Sequence, residues 1–433
     1  MSLFEYYRIR KECKKCEKNL TFDMKYIDEK TSKLAEKIFQ KNKAKFLEFK
    51  KYKSKISYWG SELYDLGGHT PCVINLAKSL FEGEKYPLFL TRLNRTQEKG
   101  AKALKELDKY CYIHGVNFHS YNFEKSLIEA YNKIIENATE VVILYIHQHD
   151  ILATALIYLL KRNTNIKFIF FDHATHFPNI AMTLCDLILE LLPLTLKTTQ
   201  EKRKLFNAKI IGLQTKNKNE IVYYTKEDIT QKRNELGIKE DELLTISGGS
   251  SYKYFDNSNS GSQHYEMIKN ILVQEPQLKH LAITNLSKEQ EKTIKKIFAK
   301  HPEAQNRLII HPLTPNFEIL FQCADLFIDS FPVSSAMTQL DLMSMKKPSV
   351  VKINSENPIY SFHEYMPENY PYMFESVEKM EKAILYLIKN KPELEKISDD
   401  NYQFWLENYE EQTVKEKYLK IIDEVLNNEM VTL

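Results

Sequence analysis

The residues best suited to chemistry stand in FPVSSAMTQLDLMSMKKPSVV, 331–351, where Ser334, Ser335 and Thr338 are followed by Asp341. The run comes directly after the strand-like LFIDSF and opens a helix. Free backbone N–H groups at a helix start suit a phosphate, the hydroxyls add donors, and a carboxylate one turn further in can accept both hydroxyls of a ribose. A plainer account fits the same residues: Ser334 or Ser335 caps the helix and Asp341 is a first-turn charge. A second stretch weighs toward a ligand. SGGSSYKYF, 247–255, also follows a strand; Gly248 and Gly249 let the backbone approach a ligand, and Lys253 offers a point charge for a diphosphate. A third, HPLTPN at 311–316, ends the strand RLIIHPL and either contacts a base or turns the chain.

Histidines gather at two other strand ends, in IHQHD (His147, His149, Asp150) and FFDHATHFP (Asp172, His173, His176). In DLGGHTPCVINLAKSL a glycine turn, Gly67 and Gly68, leads to His69 and a helix; a plain turn with a surface histidine fits it equally. Histidine titrates where a general base must work. The spacing of these histidines matches no zinc signature, and hydrogen-bonded loop histidines are the other account of them. With no Asp-x-Asp in the chain either, no metal ligand set is expected.

Apolar strand-sized runs alternating with amphipathic helices must position these residues. YPLFLT, VNFHSY, VVILYI and IKFIFFD alternate with helical stretches near 96–110, 123–137 and 150–161. The pattern resumes with LLTIS, KHLAIT, RLIIHPL, DLFIDSF and PSVVKI around helices at 263–274, 287–300 and 335–345. This predicts an α/β chain with two doubly wound, Rossmann-like domains facing a central cleft, ligands lying beyond the carboxyl ends of the strands. The expected divisions are a helical segment at 1–55, domains at 56–236 and 237–400, and a final helix at 401–433 that packs back on the first domain.

Bulk properties agree. A length of 433 residues favours two domains, and 43% hydrophobic residues, with 12% aromatic, exclude wholesale disorder. The net charge of +3, with Lys and Glu interleaved, does not argue for a dedicated nucleic-acid binder and leaves room for a basic patch that meets an anionic membrane or ligand. Six cysteines are too few for a disulfide scaffold, and Cys13 and Cys16 have no second pair to complete a zinc site. The start of the chain lacks the apolar core of a signal peptide, and no apolar run reaches membrane-spanning length, so a cytoplasmic protein is expected.

The order of strand, small-hydroxyl loop, carboxylate-bearing helix and KKPSVV resembles the nucleotide-sugar site of GT-B glycosyltransferases. Over about 240–350, SSAMTQLDLMSMKKPSVV with SSYKYF upstream is similar to the O-GlcNAc transferase and bacterial protein N-glucosyltransferase group. The resemblance implies a donor diphosphate held by Lys253, Gly248, Gly249, Ser334, Ser335 and Thr338, with Asp341 on the ribose. Retaining GT-B enzymes carry two glutamates eight positions apart; here those positions are Val333 and Asp341, which favours inversion. DLGGHT resembles the glycine turn of bacterial GT-B enzymes, implying that Gly67, Gly68 and His69 line the acceptor side. DHATHF resembles an acceptor-domain motif, making His176, then His173, the candidate base, with His147 and His149 as alternatives. The expected function is transfer of a sugar from a nucleoside-diphosphate donor, a UDP-sugar first among them, to a glycan or protein acceptor. No metal or other cofactor is expected. A retaining transferase, a nucleotide-sugar epimerase and an inactive sugar-nucleotide-binding or scaffold protein are the alternatives.

Overall fold

The computed structural model describes residues 2–65, 69–174, 177–256, 259–314, 317–355, 361–367 and 369–427. Its packing divides the chain into two units, Met1–Gln214 with Glu411–Leu433, and Thr215–Glu410.

Unit 1 holds seven parallel strands: β1 (Ser54–Gly60), β2 (Tyr86–Leu90), β3 (Cys111–Gly115), β4 (Thr139–Tyr145), β5 (Lys167–Phe171), β6 (Leu187–Glu190) and β7 (Ala208–Ile210). Their order is β3-β2-β1-β4-β5-β6-β7, a doubly wound sheet whose direction of growth reverses between β1 and β4. Continuous apolar runs such as Val141–Tyr145 are buried throughout, as a strand covered on both faces requires. Gly60 lies beside both Leu90 and Tyr145, and Phe171 beside Leu189, so the carboxyl ends of these strands line one edge.

Two expectations shift here. The strand placed at VNFHSY instead falls on Cys111–Gly115, which pairs with β2, and the chain beyond turns through Ser120–Asn122. The helix near 96–110 is two, Leu93–Lys99 and Ala101–Leu107. Gly100 divides them with a non-helical backbone, and glycine stands there because a Cβ would lie 2.5 Å from the Leu63 carbonyl oxygen.

Residues 1–55 are part of unit 1's core. Ile27, Leu34, Ala35 and Ile38 of helix Lys25–Lys41 pack on helix Ile151–Asn163, which is apolar all round because it is enclosed. Asp28 of the same helix is buried, accepts from Ala181 N at 2.7 Å and Thr183 Oγ1 at 2.5 Å, and is pushed up to about 6 by burial. Cys13 and Cys16 face this core, and all six cysteines are buried as thiols outside any disulfide. Helix Glu411–Leu426 also packs in unit 1, against helix His69–Ser79 and β4, with Tyr418 buried.

Unit 2 holds six parallel strands: β8 (Leu243–Gly248), β9 (Leu278–Ile283), β10 (Leu308–His311), β11 (Leu326–Ile328), β12 (Ser349–Lys352) and β13 (Met373–Phe374), ordered β10-β9-β8-β11-β12-β13. Leu244, Ile246, Leu281, Phe327 and Leu342 form its core. The polar stretch 215–236, expected to end the first domain, is held by unit 2: Arg233 Nη1 donates to Cys323 O at 2.6 Å and Tyr224 N to Gln322 Oε1 at 3.0 Å. The final helix is likewise two. Lys391–Asn408 stays in unit 2, where Trp405 Nε1 donates to Thr215 Oγ1 at 2.8 Å, and the chain passes to unit 1 at Glu410/Glu411.

Candidate functional site

Two polar clusters form, one at the carboxyl edge of each sheet. In unit 2, β8 ends at Gly248 and β11 runs into Asp329, so the loops 249–253 and 329–335 meet. Gly249 is required by proximity: a Cβ there would lie 2.7 Å from Ser335 Oγ and 3.2 Å from Lys253 Cδ. Lys253 ends a 3₁₀ turn, Ser251–Lys253, and its Nζ donates to Ser334 O at 3.1 Å and Ser335 Oγ at 3.2 Å. Burial pulls this ammonium below its ordinary pKa, and the Asp329 carboxylate opposes the shift.

Asp329 organises the loop. Its carboxylate accepts from Ser334 Oγ at 2.6 Å and Ser335 N at 3.2 Å, and burial pushes it up to about 6 against those hydrogen bonds. Ser330 Oγ lies 2.9 Å from Ser335 Oγ, and Gln339 Nε2 donates to Ser334 Oγ at 3.1 Å. Ser334 and Ser335 are buried, so their hydroxyls brace the loop, and the Phe331–Pro332 peptide between the two arms is cis. Thr338, in the first turn of helix Ala336–Ser344, is half-buried with Cγ2 toward Gly248. Asp341, one turn on, is half-buried and pushed up to about 7 by lost hydration; Lys216 draws it down and Glu318, which Lys216 pairs at 2.7 Å, pushes it up. The sequence reading placed Lys253, Gly248, Gly249 and the serine loop correctly at one edge but assigned no role to Asp329. A carboxylate closing an apolar strand before a Ser-rich loop was the available signal.

In unit 1, His69, His147 and His173 come together from the start of a helix and the ends of β4 and β5. Ring centroids are 4.0 Å apart for His69–His173, 5.0 Å for His69–His147 and 5.9 Å for His147–His173. His69 Nε2 donates to the Tyr145 carbonyl at 2.9 Å, which leaves the buried Nδ1 with a lone pair and no partner. Burial and the neighbouring His147 hold His69 down at about 3, so it is neutral. Burial also lowers His147, while the Glu62 carboxylate, 3.8 Å from its Nδ1, opposes that. Glu62 is itself buried and was not singled out from the sequence, where nothing distinguishes it from a surface glutamate.

The other sequence candidates have different placements. His149 Nε2 pairs with Glu17 at 2.9 Å, away from the three histidines. Asp150 caps helix Ile151–Asn163 through Ala153 N and ties β1 to it through Ser61, at 2.5 Å. Asp172 pairs with buried Arg203 at 2.6 Å. Gly67, Gly68 and His176 lie outside the described residues. The ligand atoms of His69, His147 and His173 lie within 4.8 Å of one another, a set able to receive a first-row cation, which chain spacing concealed.

No protein-family model matches the sequence, and no curated protein matches it. Solved structures do match. A glycosyltransferase from Rickettsia africae superposes with a TM-score of 0.69 at 16% identity, covering 87% of this chain and 100% of that one. Anabaena Alr3699/HepE in complex with UDP superposes at 0.66 with 14% identity, over 86% of this chain and 100% of that one, and has also been solved with UDP-glucose. Thermobaculum terrenum O-GlcNAc transferase, 9% identical, superposes at 0.59 over 98% of this chain and 78% of that one. Among the described residues no helix is long and apolar enough to cross a membrane. With two doubly wound α/β units in one polypeptide, this chain has the GT-B glycosyltransferase fold.

Proposed function

We propose that the protein is an inverting glycosyltransferase that moves a sugar from a nucleoside diphosphate, UDP first among them, to a glycan or protein hydroxyl or amide. The observation that carries this reading is the pre-formed cationic loop of unit 2, where Lys253 donates to the Ser334 carbonyl and the Ser335 hydroxyl beside the first turn of helix Ala336–Ser344. Lys253 and the loop amides bind the diphosphate, with Thr338 adding its hydroxyl, and Asp341 accepts from the ribose hydroxyls. Ser334 and Ser335 act through the loop they brace. Binding of UDP and UDP-glucose by the Anabaena protein of the same fold supports the choice of nucleotide.

Unit 1 supplies the base. His69, held neutral and unable to keep a proton near pH 7, orients its neighbours, and His149 is occupied by Glu17. We assign the base to His173. Its imidazole takes the proton of the acceptor O–H or N–H as that atom attacks the anomeric carbon from the face opposite the nucleotide. The bond from the anomeric carbon to the diphosphate oxygen breaks, and its electron pair leaves with the diphosphate, whose charge Lys253 and the loop amides stabilise. On that account the transfer is read as metal-independent. Val333, where retaining enzymes of this fold place a glutamate, supports inversion.

The test is release of nucleoside diphosphate from a panel of UDP-, GDP-, CDP- and ADP-sugars, with the anomeric configuration of any transferred sugar read by NMR. One nucleotide family turned over with inversion is the expected result. Retention would overturn the mechanism, and neither binding nor turnover of any nucleotide sugar would overturn the function.

A further inference from the structure

A polar cavity opens on unit 1, beside the histidines and built in part by the N-terminal helix. It has a volume of about 340 Å³ and lies over the carboxyl ends of β2 and β3. Arg92 follows β2 directly, and Arg95 projects from the helix Leu93–Lys99 that begins there. Arg10 comes from helix Ser2–Lys18, is exposed, and pairs with no carboxylate among the described residues. That helix is fixed in place: the Tyr6 ring packs 5.1 Å from Phe123, and Tyr7 Oη lies 3.0 Å from Ser120 Oγ.

The charge balance of the cavity is positive. Buried Glu62 stands 3.4 Å from Arg92 and 3.7 Å from Arg95, and Glu98 adds a second carboxylate at the wall. Two carboxylates face three guanidinium groups, whose forked donors match an oxyanion. The remaining features suit a sugar ring. His119 and Tyr121 stack at 5.4 Å with 23° between their planes, and Tyr121 is 64% exposed, so a flat aromatic face lies open. Asn94 carries a buried side-chain oxygen without a partner, an acceptor for a hydroxyl. The volume is at the lower end of small-molecule sites and fits one substituted ring.

We propose that this cavity seats the anionic group, phosphate or carboxylate, of a saccharide acceptor, and that helix Ser2–Lys18 exists in part to deliver Arg10 to it. The proposal rests on the glycosyltransferase reading for the word acceptor. Glu62, which touches both Arg92 and His147, places the cavity one side chain from the proposed base cluster.

Calorimetric titration of the full chain with glucose 6-phosphate, glucuronate, inorganic phosphate and glucose tests it, on the wild type and on Arg10→Ala and Arg92→Gln. At least one anionic sugar is expected to bind more tightly than both glucose and inorganic phosphate. Its affinity should fall about tenfold in each variant, the loss typical of one charge-assisted contact. Anionic sugars that bind no better than glucose, or equally well in both variants, would overturn the proposal. Inorganic phosphate matching the better sugar would overturn its saccharide part. UDP-induced heat stabilisation is measured in parallel: retained in Arg10→Ala, it separates failure of this cavity from failure of the transferase reading, which its absence in the wild type would signal.

Discussion

The two sheet edges differ in how their polar groups are satisfied. In unit 2 the loop is braced by a chain of hydrogen bonds: Asp329 holds Ser334 and Ser335, these hold Lys253, and Gln339 Nε2 donates to Ser334. In unit 1 His69 keeps a buried lone pair without a partner beside two further imidazoles. A braced loop suits a ligand that is the same in every turnover, because Lys253 and the loop backbone are held in place before it arrives. A cluster of imidazoles suits proton transfer. The difference teaches that the unit 2 cluster is set by hydrogen bonding and the unit 1 cluster by side-chain convergence.

Variants can break this division. Lys253→Ala removes the only cation in the braced loop and should lower turnover by about 10²- to 10³-fold while abolishing UDP-dependent stabilisation. His173→Ala should lower turnover by about 10²-fold and leave UDP-dependent stabilisation intact, since it acts only on proton transfer. Equal loss of nucleotide binding in both variants would erase the distinction between the edges. Asp329→Ala strands the Ser335 N–H and the Ser334 hydroxyl, and should lower unfolding free energy in urea by about 1–3 kcal/mol while weakening UDP.

The smallest effect is a pH dependence. Asp341 is pushed up to about 7, so it is mostly protonated at pH 6 and mostly ionised at pH 8. The ionised carboxylate is the better acceptor for ribose hydroxyls, so UDP affinity should rise severalfold, at most about tenfold, across that interval. Asp341→Asn should flatten the profile, and a wild-type profile already flat would remove Asp341 from the ribose.

Much of unit 2's site was legible because its parts are local in sequence. The stretches 247–255 and 331–341 each carry glycines or hydroxyls directly after an apolar strand, and parallel strands deliver such loops to one edge. Unit 1's cluster was only half legible. Each histidine marked a strand or helix end, but only tertiary packing brings His69 onto His173 and separates His149, which Glu17 draws away. Glu62, Arg92 and Arg95 gave no signal, being polar residues in a loop and at the start of a short helix, with nothing local to mark them. The helices at 1–55 were legible but their packing was not, for a related reason: their Lys and Glu residues hide a buried stripe whose partner, helix Ile151–Asn163, lies over a hundred residues away in the chain.

The most direct test of the central claim is the melting temperature of the wild type and Lys253→Ala with and without UDP. The account predicts that UDP raises it in the wild type and leaves Lys253→Ala unmoved. No shift in the wild type, or the same shift in both proteins, would contradict a nucleotide diphosphate bound at the unit 2 loop.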